Sequence, residues 1–327
     1  MIKKVFFINI FLVIFLVLLL ELIFNIFKLS GLMGIERGLI YKKGDTFFLN
    51  TNEKGEIFDE IVFTDNFGFR APKENFQYNS KENIFILGDS VAFGNGVKEE
   101  NTFIGLLRKS IKNKNLLNSS VPGYQIKNQV ENIEIMKKFE NIEKIIYFFT
   151  LNDVYGSSNI KGLKKERTEP PKSNEGSFFL KNFQILKSIN YNLRNKSYLY
   201  MYIKGISTDP SKRWFQNLYK HYEESSLDQT SEQLKKIRNF SKNINSDFLI
   251  VILPYEFQIR KCSDAILLPQ NQIQNILNQL NIKYLDLTQN FCELNNSKKY
   301  FYKFDPMHLS KKGHKFVYDI LKDEINF

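Results

Sequence analysis

The chain has 327 residues, with 46 Lys or Arg against 35 Asp or Glu, and a formal net charge of +11. This length gives one large domain or two small ones and is ample for a buried core. The positive charge favours anionic surfaces such as lipid headgroups or acidic polysaccharide. A nucleic-acid partner is not expected, because the sequence has no recognition motif and no concentrated basic arm.

The first predicted element is an apolar run, Val5–Phe27, which is long enough to cross about 30 Å of hydrocarbon as a helix. Glu21 lies near its outer end and is expected at the interface, since a carboxylate deep in the bilayer would be costly. Lys3 and Lys4 precede the run, so the positive-inside rule predicts a cytoplasmic N-terminus. Everything after Lys28 would then lie outside, in a periplasmic or extracellular space. A cleaved signal peptide is the alternative, disfavoured because the run is long and no Ala-x-Ala site follows.

The rest of the chain divides by composition. We expect a membrane anchor at residues 1–28, a membrane-proximal strand-rich segment at 29–82, and an α/β domain at 83–327 with an insertion at 154–225. Arg70, near the end of the strand-rich segment, could hold a carboxylate or fix its loop, and the structural role is favoured.

In the α/β domain, short apolar runs alternate with helical periodicity. The predicted strands are Ile84–Leu87, Leu116–Asn118, Lys144–Leu151, Phe248–Leu253 and Tyr284–Leu287. The predicted helices are Thr102–Asn113, Leu227–Ile244, Asn271–Leu280 and Lys311–Leu321, the last with Ser310 as N-cap. Such alternation predicts a parallel sheet with helices on both faces and right-handed crossovers.

The insertion interrupts this pattern. Glu166–Ser177 contains Pro170-Pro171 and reads as an exposed loop. A helical face follows, formed by Phe179, Phe183, Leu186, Ile189 and Leu193. This face either packs on the core or forms a cap, or a membrane-facing lid, over the active edge.

Polar groups follow the first three strands of the α/β domain. Gly88-Asp89-Ser90 directly follows the first strand, Gly123 lies after the second and Asn152 after the third. In open α/β sheets ligands bind at the C-terminal ends of the strands. Ser90 is therefore expected to be exposed at that edge, with Asp89 shaping its turn through backbone hydrogen bonds.

Asp305 and His308 lie three residues apart, just before the last helix. A serine hydroxyl is a weak nucleophile until a base takes its proton. We expect Ser90 as nucleophile, His308 as base and Asp305 as the carboxylate that fixes the imidazole tautomer. The backbone N–H groups of Ser90 and Gly123, with the Asn152 amide, would form the oxyanion hole.

Other titratable residues are expected to be structural. His221 and His314 read as surface or packing residues, and Asp153 as a residue that orders the Asn152 loop. The cysteines, Cys262 and Cys292, have no Cys or His at metal-ligand spacing, and they either pair in an oxidising compartment or stay separate thiols.

Gly88-Asp89-Ser90, Gly123, Asn152 and Asp305-x-x-His308 together resemble the four blocks of the SGNH (GDSL-type) hydrolase superfamily. The resemblance covers about Asn83–Leu321. It implies a flavodoxin-like, three-layer α/β/α fold with a central parallel sheet, no metal or other cofactor, and a serine that attacks an ester. The sequence departs from the family at two positions: Val91 replaces the usual Leu, and Thr150 stands where the third block usually has Gly.

The leading functional hypothesis is a serine esterase or O-acyltransferase acting on acylated carbohydrate outside the cytoplasmic membrane. The overall layout is similar to membrane-bound SGNH proteins linked to surface polysaccharide acylation. A lipase or thioesterase using membrane-derived acyl substrates is the second reading. A catalytically idle glycan-binding scaffold is the third, disfavoured because Ser90, Asp305 and His308 are all present.

Overall fold

A computed structural model describes residues 2–30, 38–43, 46–79, 82–157, 178–294, 296–302 and 307–325. The chain divides into two compact units. The first unit comprises residues 1–34 and 165–209, and the second comprises residues 35–164 and 210–327.

The regular elements were assigned from the backbone of the described residues. The strands are β1 Ile40–Lys43, β2 Thr46–Leu49, β3 Lys54–Ile57, β4 Glu60–Thr64, β5 Arg70–Ala71, β6 Asn83–Gly88, β7 Asn115–Asn118, β8 Ile142–Thr150, β9 Asp247–Leu253 and β10 Lys283–Asp286. The helices are α1 Ile2–Ile26, α2 Ser90–Phe93, α3 Phe103–Ser110, α4 Ile126–Glu131, α5 Ile133–Met136, α6 Phe178–Lys196, α7 Tyr198–Ser207, α8 Pro210–Glu224, α9 Asp228–Asn243, α10 Glu256–Ile259, α11 Leu268–Gln279, α12 Thr288–Cys292 and α13 Lys311–Glu324.

The first unit contains α1, α6 and α7. Lys3–Ile26 of α1 has a mean hydropathy of 3.0 and no buried residues, so it is long and apolar enough to cross a membrane. The helix predicted after the proline-containing loop is present as α6, and its Leu186, Ile189 and Leu193 are exposed. Phe179 and Phe183 lie where no side chain is described, and the predicted exposed loop 166–177 lies outside the described residues.

The second unit is built on a five-stranded sheet with strand order β10-β9-β8-β6-β7, in which every neighbouring pair is parallel. If the five strands are numbered 1 to 5 in chain order from β6, the sheet order is 2-1-3-4-5, as in doubly wound proteins. The predicted parallel sheet is therefore confirmed. The order reverses between β6 and β8, and such a switch point is where ligands bind in this architecture.

The strand residues alternate between two apolar layers. Phe85 and Leu87 face one layer, which receives helices α4, α8, α9 and α11. Ile84 and Ile86 face the other, which receives α3 and α13. Side chains of successive strand residues point to opposite faces, so a wholly apolar strand of this kind requires helices on both sides. The three-layer α/β/α prediction is confirmed.

Helix boundaries differ from the sequence prediction by a few residues. α11 begins at Leu268 rather than Asn271, because Pro269 fits the first turn of a helix. α13 begins as predicted at Lys311, where the Ser310 hydroxyl accepts a hydrogen bond from the Gly313 N–H at 3.3 Å.

The strand-rich segment forms a β1–β2 hairpin and a three-stranded antiparallel sheet, β3-β4-β5. Its apolar side chains join a third core cluster that includes Phe93, Val121 and Tyr124 of the α/β domain. The Tyr124 hydroxyl also donates to the Phe47 carbonyl at 2.7 Å. The segment therefore packs against the turns that follow β6 and β7.

Cys262 and Cys292 form a disulfide. The sequence left this pairing open, because it depends on whether the domain lies in an oxidising compartment. The bond joins the chain just after α10 to the end of α12, next to Phe291, which is fully buried.

Candidate active site

Ser90 begins a short helix directly after the central strand β6. The Asp89 carboxylate caps this helix, since its Oδ1 accepts a hydrogen bond from the Val91 N–H at 2.9 Å. Gly88 is required at the turn, because a Cβ there would lie 2.4 Å from the Ala92 Cβ. The predicted role of Asp89 is confirmed. The predicted exposure of Ser90 is wrong: the residue is 5% exposed, since the loop that follows α2 closes over the same edge.

Arg70 holds that loop in place from the strand-rich segment. Its guanidinium donates hydrogen bonds to the backbone carbonyls of Phe93, Gly94 and Val97 and lies over the Phe93 ring. Burial lowers the pKa of Arg70 to about 10, so it is still charged at neutral pH. The structural role favoured by the sequence is confirmed, and it ties β5 to the chain around Ser90.

Asn152 lies just past β8, in a fixed orientation. Its Nδ2 donates to Asp89 Oδ2 at 3.1 Å, and its Oδ1 accepts from the Tyr255 hydroxyl at 2.6 Å. A primary amide has two N–H donors, so the bond to Asp89 leaves the second one for another acceptor.

Thr150 links Asn152 to a buried pair of carboxyl groups. Its Oγ1 lies 2.8 Å from Asn152 Oδ1, 3.0 Å from Asp89 Oδ2 and 3.1 Å from Asp153 Oδ1. A hydroxyl has a single proton to donate, so Thr150 donates to one of these three oxygens at a time. A protonated Asp153 would donate to Thr150 and leave the Thr150 proton for Asp89 or Asn152. Burial, then the charge of Asp89, raises the pKa of Asp153 well above its usual value. Thr150, the departure from the family pattern, is thus integrated into the site.

The loop that carries Gly123 is connected to the Asn152 loop. Gly123 has a φ of 82°, a left-handed conformation that favours glycine. Two residues later, Gln125 Nε2 donates to Ser157 Oγ at 2.6 Å, and Ser157 donates to the Asn152 carbonyl. The ends of β7 and β8 are therefore linked through side chains.

His308 is buried beside the loop that follows Ser90. Its Nε2 lies 3.5 Å from Asn95 Nδ2, and the Asn95 backbone N–H donates to the Ser90 carbonyl at 3.1 Å. The Phe58 ring packs edge-on against the imidazole. His308 and Ser90 are thus connected through one residue. Asp305 lies outside the described residues.

The other histidines have packing roles, as predicted. His314 is fully buried and accepts a hydrogen bond from the Phe103 N–H at 3.2 Å. Burial lowers its pKa to about 3, so it is neutral. His221 lies 3.1 Å from the Ser225 hydroxyl, and burial lowers its pKa.

Sequence reasoning missed two residues that contact His308. Asn95 lies between Gly94 and Gly96, and two glycines this close together indicate a tight backbone approach. This pattern could have identified Asn95 as a candidate site residue. Phe58 has no such signal, because nothing in its neighbourhood of the sequence connects it to the C-terminal part of the chain.

A narrow cleft lies between chain neighbours of Ser90 and His308, namely Val91, Met307 and Leu309. Its free volume is about 10 Å³, room for about one water molecule. Its lining combines six apolar residues, Val91, Leu253, Pro254, Phe291, Met307 and Leu309, with three residues that have polar groups, Thr150, Asn152 and Tyr255.

No family model and no curated protein matches the chain. Among similar solved structures, the acetyl xylan esterase AlAXEase has 16% identity and a TM-score of 0.43, with 74% of this chain and 100% of that chain covered. A catalytic mutant of Axe2, an acetylxylan esterase from Geobacillus stearothermophilus, has 13% identity and a TM-score of 0.42, with 77% and 97% covered. A member of the lipolytic protein G-D-S-L family from Veillonella parvula has 13% identity and a TM-score of 0.39, with 75% and 98% covered.

The fold assignment follows from the chain's own topology. The sheet has the 2-1-3-4-5 strand order, and Gly88-Asp89-Ser90, Gly123 and Asn152 each follow their own strand at one edge of it. These features agree with the flavodoxin-like α/β/α fold that the sequence resemblance to the SGNH (GDSL-type) hydrolases implies.

Proposed function

We propose that the chain is a serine ester hydrolase of the SGNH type, with Ser90 as nucleophile and His308 as general base. The observation that carries this proposal is the burial of both residues at one sheet edge, bridged by Asn95. Nucleophilic acyl transfer needs a base close to the serine hydroxyl, and the Asn95 bridge supports His308 in that role.

The proposed acylation step begins at Ser90. His308 takes the Ser90 Oγ proton as the oxygen attacks the ester carbonyl carbon, and the carbonyl electron pair moves onto the oxygen. The Ser90 and Gly123 N–H groups and the second Asn152 N–H stabilise that oxyanion. The C–O bond then breaks, and the leaving alcohol takes the proton from His308. Asp305 is assigned to hold the imidazole through Nδ1.

The second step decides between hydrolysis and transfer. Water or a sugar hydroxyl gives its proton to His308 and attacks the acyl carbon of the acyl-enzyme. The bond from that carbon to Ser90 Oγ then breaks, Ser90 takes the proton from His308, and an acid or a new ester is released. The proposal therefore includes both an esterase and an O-acyltransferase. Acylated carbohydrate is the proposed substrate class, and the net charge of +11 suits an acidic polysaccharide.

A lipase or thioesterase acting on membrane-derived acyl substrates is the alternative function. The two functions differ in the acyl-chain length that the enzyme prefers.

The proposed location is outside the cytoplasm, with α1 as an uncleaved anchor. The Cys262–Cys292 disulfide supports an oxidising compartment, and Lys3 and Lys4 before the apolar helix support a cytoplasmic N-terminus.

The test is fluorophosphonate labelling of the full chain in detergent. Wild type and Ser120→Ala, which changes a buried serine of the neighbouring loop, should both be labelled, and Ser90→Ala should not. His308→Ala should lose labelling and ester turnover by orders of magnitude. Labelling that persists in Ser90→Ala would refute the assignment. A series of model esters from acetyl to long acyl checks the substrate class, and turnover that rises with chain length would favour the lipase reading.

A further inference from the structure

The helices α6 and α7 present a set of large apolar side chains to solvent. These exposed residues are Ile185, Leu186, Ile189 and Leu193 on α6, and Ile203 and Ile206 on α7. Isolated exposed apolar residues are normal on a protein surface, but a group on two consecutive helices marks an interaction surface.

The charged residues of these two helices are all basic. Residues 178–207 contain five Lys or Arg and no Asp or Glu. Helices that lie in the interface of a membrane with anionic headgroups typically combine apolar side chains with basic ones.

The start of α7 is attached to the apolar helix α1. Glu21 accepts hydrogen bonds from Ser197 Oγ at 2.6 Å and from the backbone N–H groups of Tyr198 and Leu199 at 2.8 and 3.2 Å. Nearby, Phe24 and Tyr202 pack edge-to-face with their ring centroids 4.9 Å apart. One carboxylate thus accepts from the Ser197 hydroxyl and from two backbone N–H groups of the first turn of α7, which have no partner inside the helix.

These contacts fix the depth of α7 relative to the apolar span. At 1.5 Å per residue, Glu21 lies about 24 Å along the helix from Val5, within a hydrocarbon thickness of about 30 Å. A carboxylate at that depth is costly unless donors surround it. The contacts with Ser197, Tyr198 and Leu199 provide them, and they bring the start of α7 to the level of the bilayer boundary.

We propose that α6 and α7 form an interfacial helix pair, locked to the anchor by Glu21, whose apolar side chains enter a bilayer with anionic headgroups. The proposal rests on α1 being a membrane anchor, and it is independent of the chemistry at Ser90. It gives the chain a second membrane contact, in the part of the sequence that interrupts the α/β pattern.

The test uses the full chain reconstituted in vesicles that contain phosphatidylglycerol. An environment-sensitive fluorophore is attached at Ile206→Cys or Ile189→Cys, and at Lys235→Cys, an exposed position on α9, as the control. The native cysteines are disulfide-bonded and do not react with a maleimide. The labels on α6 and α7 should shift to the blue and be quenched by lipids with a shallow nitroxide, and the control label should not.

Variants of Glu21 test the lock. Glu21→Gln keeps an acceptor oxygen and should retain the blue shift of the Ile206→Cys label. Glu21→Leu leaves the α7 donors without a partner and should reduce the shift and the lipid quenching.

Three results would overturn the proposal. Labels that stay in water while the protein floats with the vesicles would exclude the interfacial pair and leave the anchor intact. Failure to float would refute the anchor itself. Quenching between labelled copies in detergent, without lipid quenching in vesicles, would assign the apolar side chains to self-association.

Discussion

The ring of Phe58 lies edge-on against His308, with the ring centroids 5.1 Å apart. Phe58 and Asp59 form the turn between β3 and β4, and both have positive φ, 53° and 62°. The left-handed backbone conformation costs a residue with a side chain about 1–2 kcal/mol, and turns with positive φ usually contain Asn or Gly. The strand-rich segment therefore holds an aromatic ring beside the candidate base in an unfavourable backbone conformation.

Removing this ring should weaken the reaction without unfolding the protein. Phe58→Gly relieves the positive φ but loses the contact with His308. An aromatic contact of about 0.5–1.5 kcal/mol predicts a decrease of about 2- to 10-fold in kcat, with little change in KM. The measurement is steady-state hydrolysis of an acetyl ester, with kcat and KM determined separately.

Phe58→Tyr keeps the ring edge and is the matched control, expected near wild-type turnover. If Phe58→Gly keeps the wild-type kcat, the Phe58–His308 contact is only packing.

Asn152 should contribute as an oxyanion donor. Loss of one such donor typically costs about 2.7–4 kcal/mol, so Asn152→Ala should lower kcat by about 10²- to 10³-fold. Tyr255→Phe removes only the hydroxyl that orients Asn152 Oδ1, and it should cause a smaller loss. Pre-steady-state acylation with an acetyl ester separates the two variants. Equal and small effects would exclude Asn152 from the oxyanion hole.

Asp153 should make stability depend on pH. Its pKa is raised in the folded chain above the unfolded value near 4, because burial disfavours the charged form. Between the unfolded and folded pKa values the folded state binds more protons, so stability falls as pH rises, by at most about 1.4 kcal/mol per pH unit. Asp153→Asn, which can donate to Thr150 without a proton equilibrium, should remove this dependence.

Thermal unfolding of both proteins from pH 4 to pH 8 measures the effect. The difference in Tm between Asp153→Asn and wild type should grow in favour of the variant with rising pH. If the difference in Tm between the two proteins does not change with pH, the pKa of Asp153 is the same in the folded and unfolded chains.

The Cys262–Cys292 bond should stabilise the second unit. Closing a loop of 30 residues predicts a contribution of about 3–4 kcal/mol through the unfolded state. Reductant should therefore lower the Tm of wild type, and the double variant Cys262→Ser/Cys292→Ser should melt at the reduced value with or without reductant. If the wild-type Tm stays unchanged although the disulfide is verified to be reduced, this prediction is wrong.

The sequence by itself determined the element order and the main motifs. The apolar helix, the alternation of strands and helices, the serine turn after β6 and the Ser310 cap of α13 all depend on residues a few positions apart. Helix and strand periodicity, caps and turns are local properties, so their patterns can be read in a short window of sequence.

Tertiary structure alone decided which distant residues meet. Asn95 and His308 are 213 positions apart, and Glu21 reaches the start of α7 across 176 positions. Phe58 contacts His308 from the strand-rich segment, and the pairing of Cys262 with Cys292 stayed open until the fold was known. Such contacts depend on how the sheet and helices pack in space, and the local periodicity of the sequence does not predict that packing.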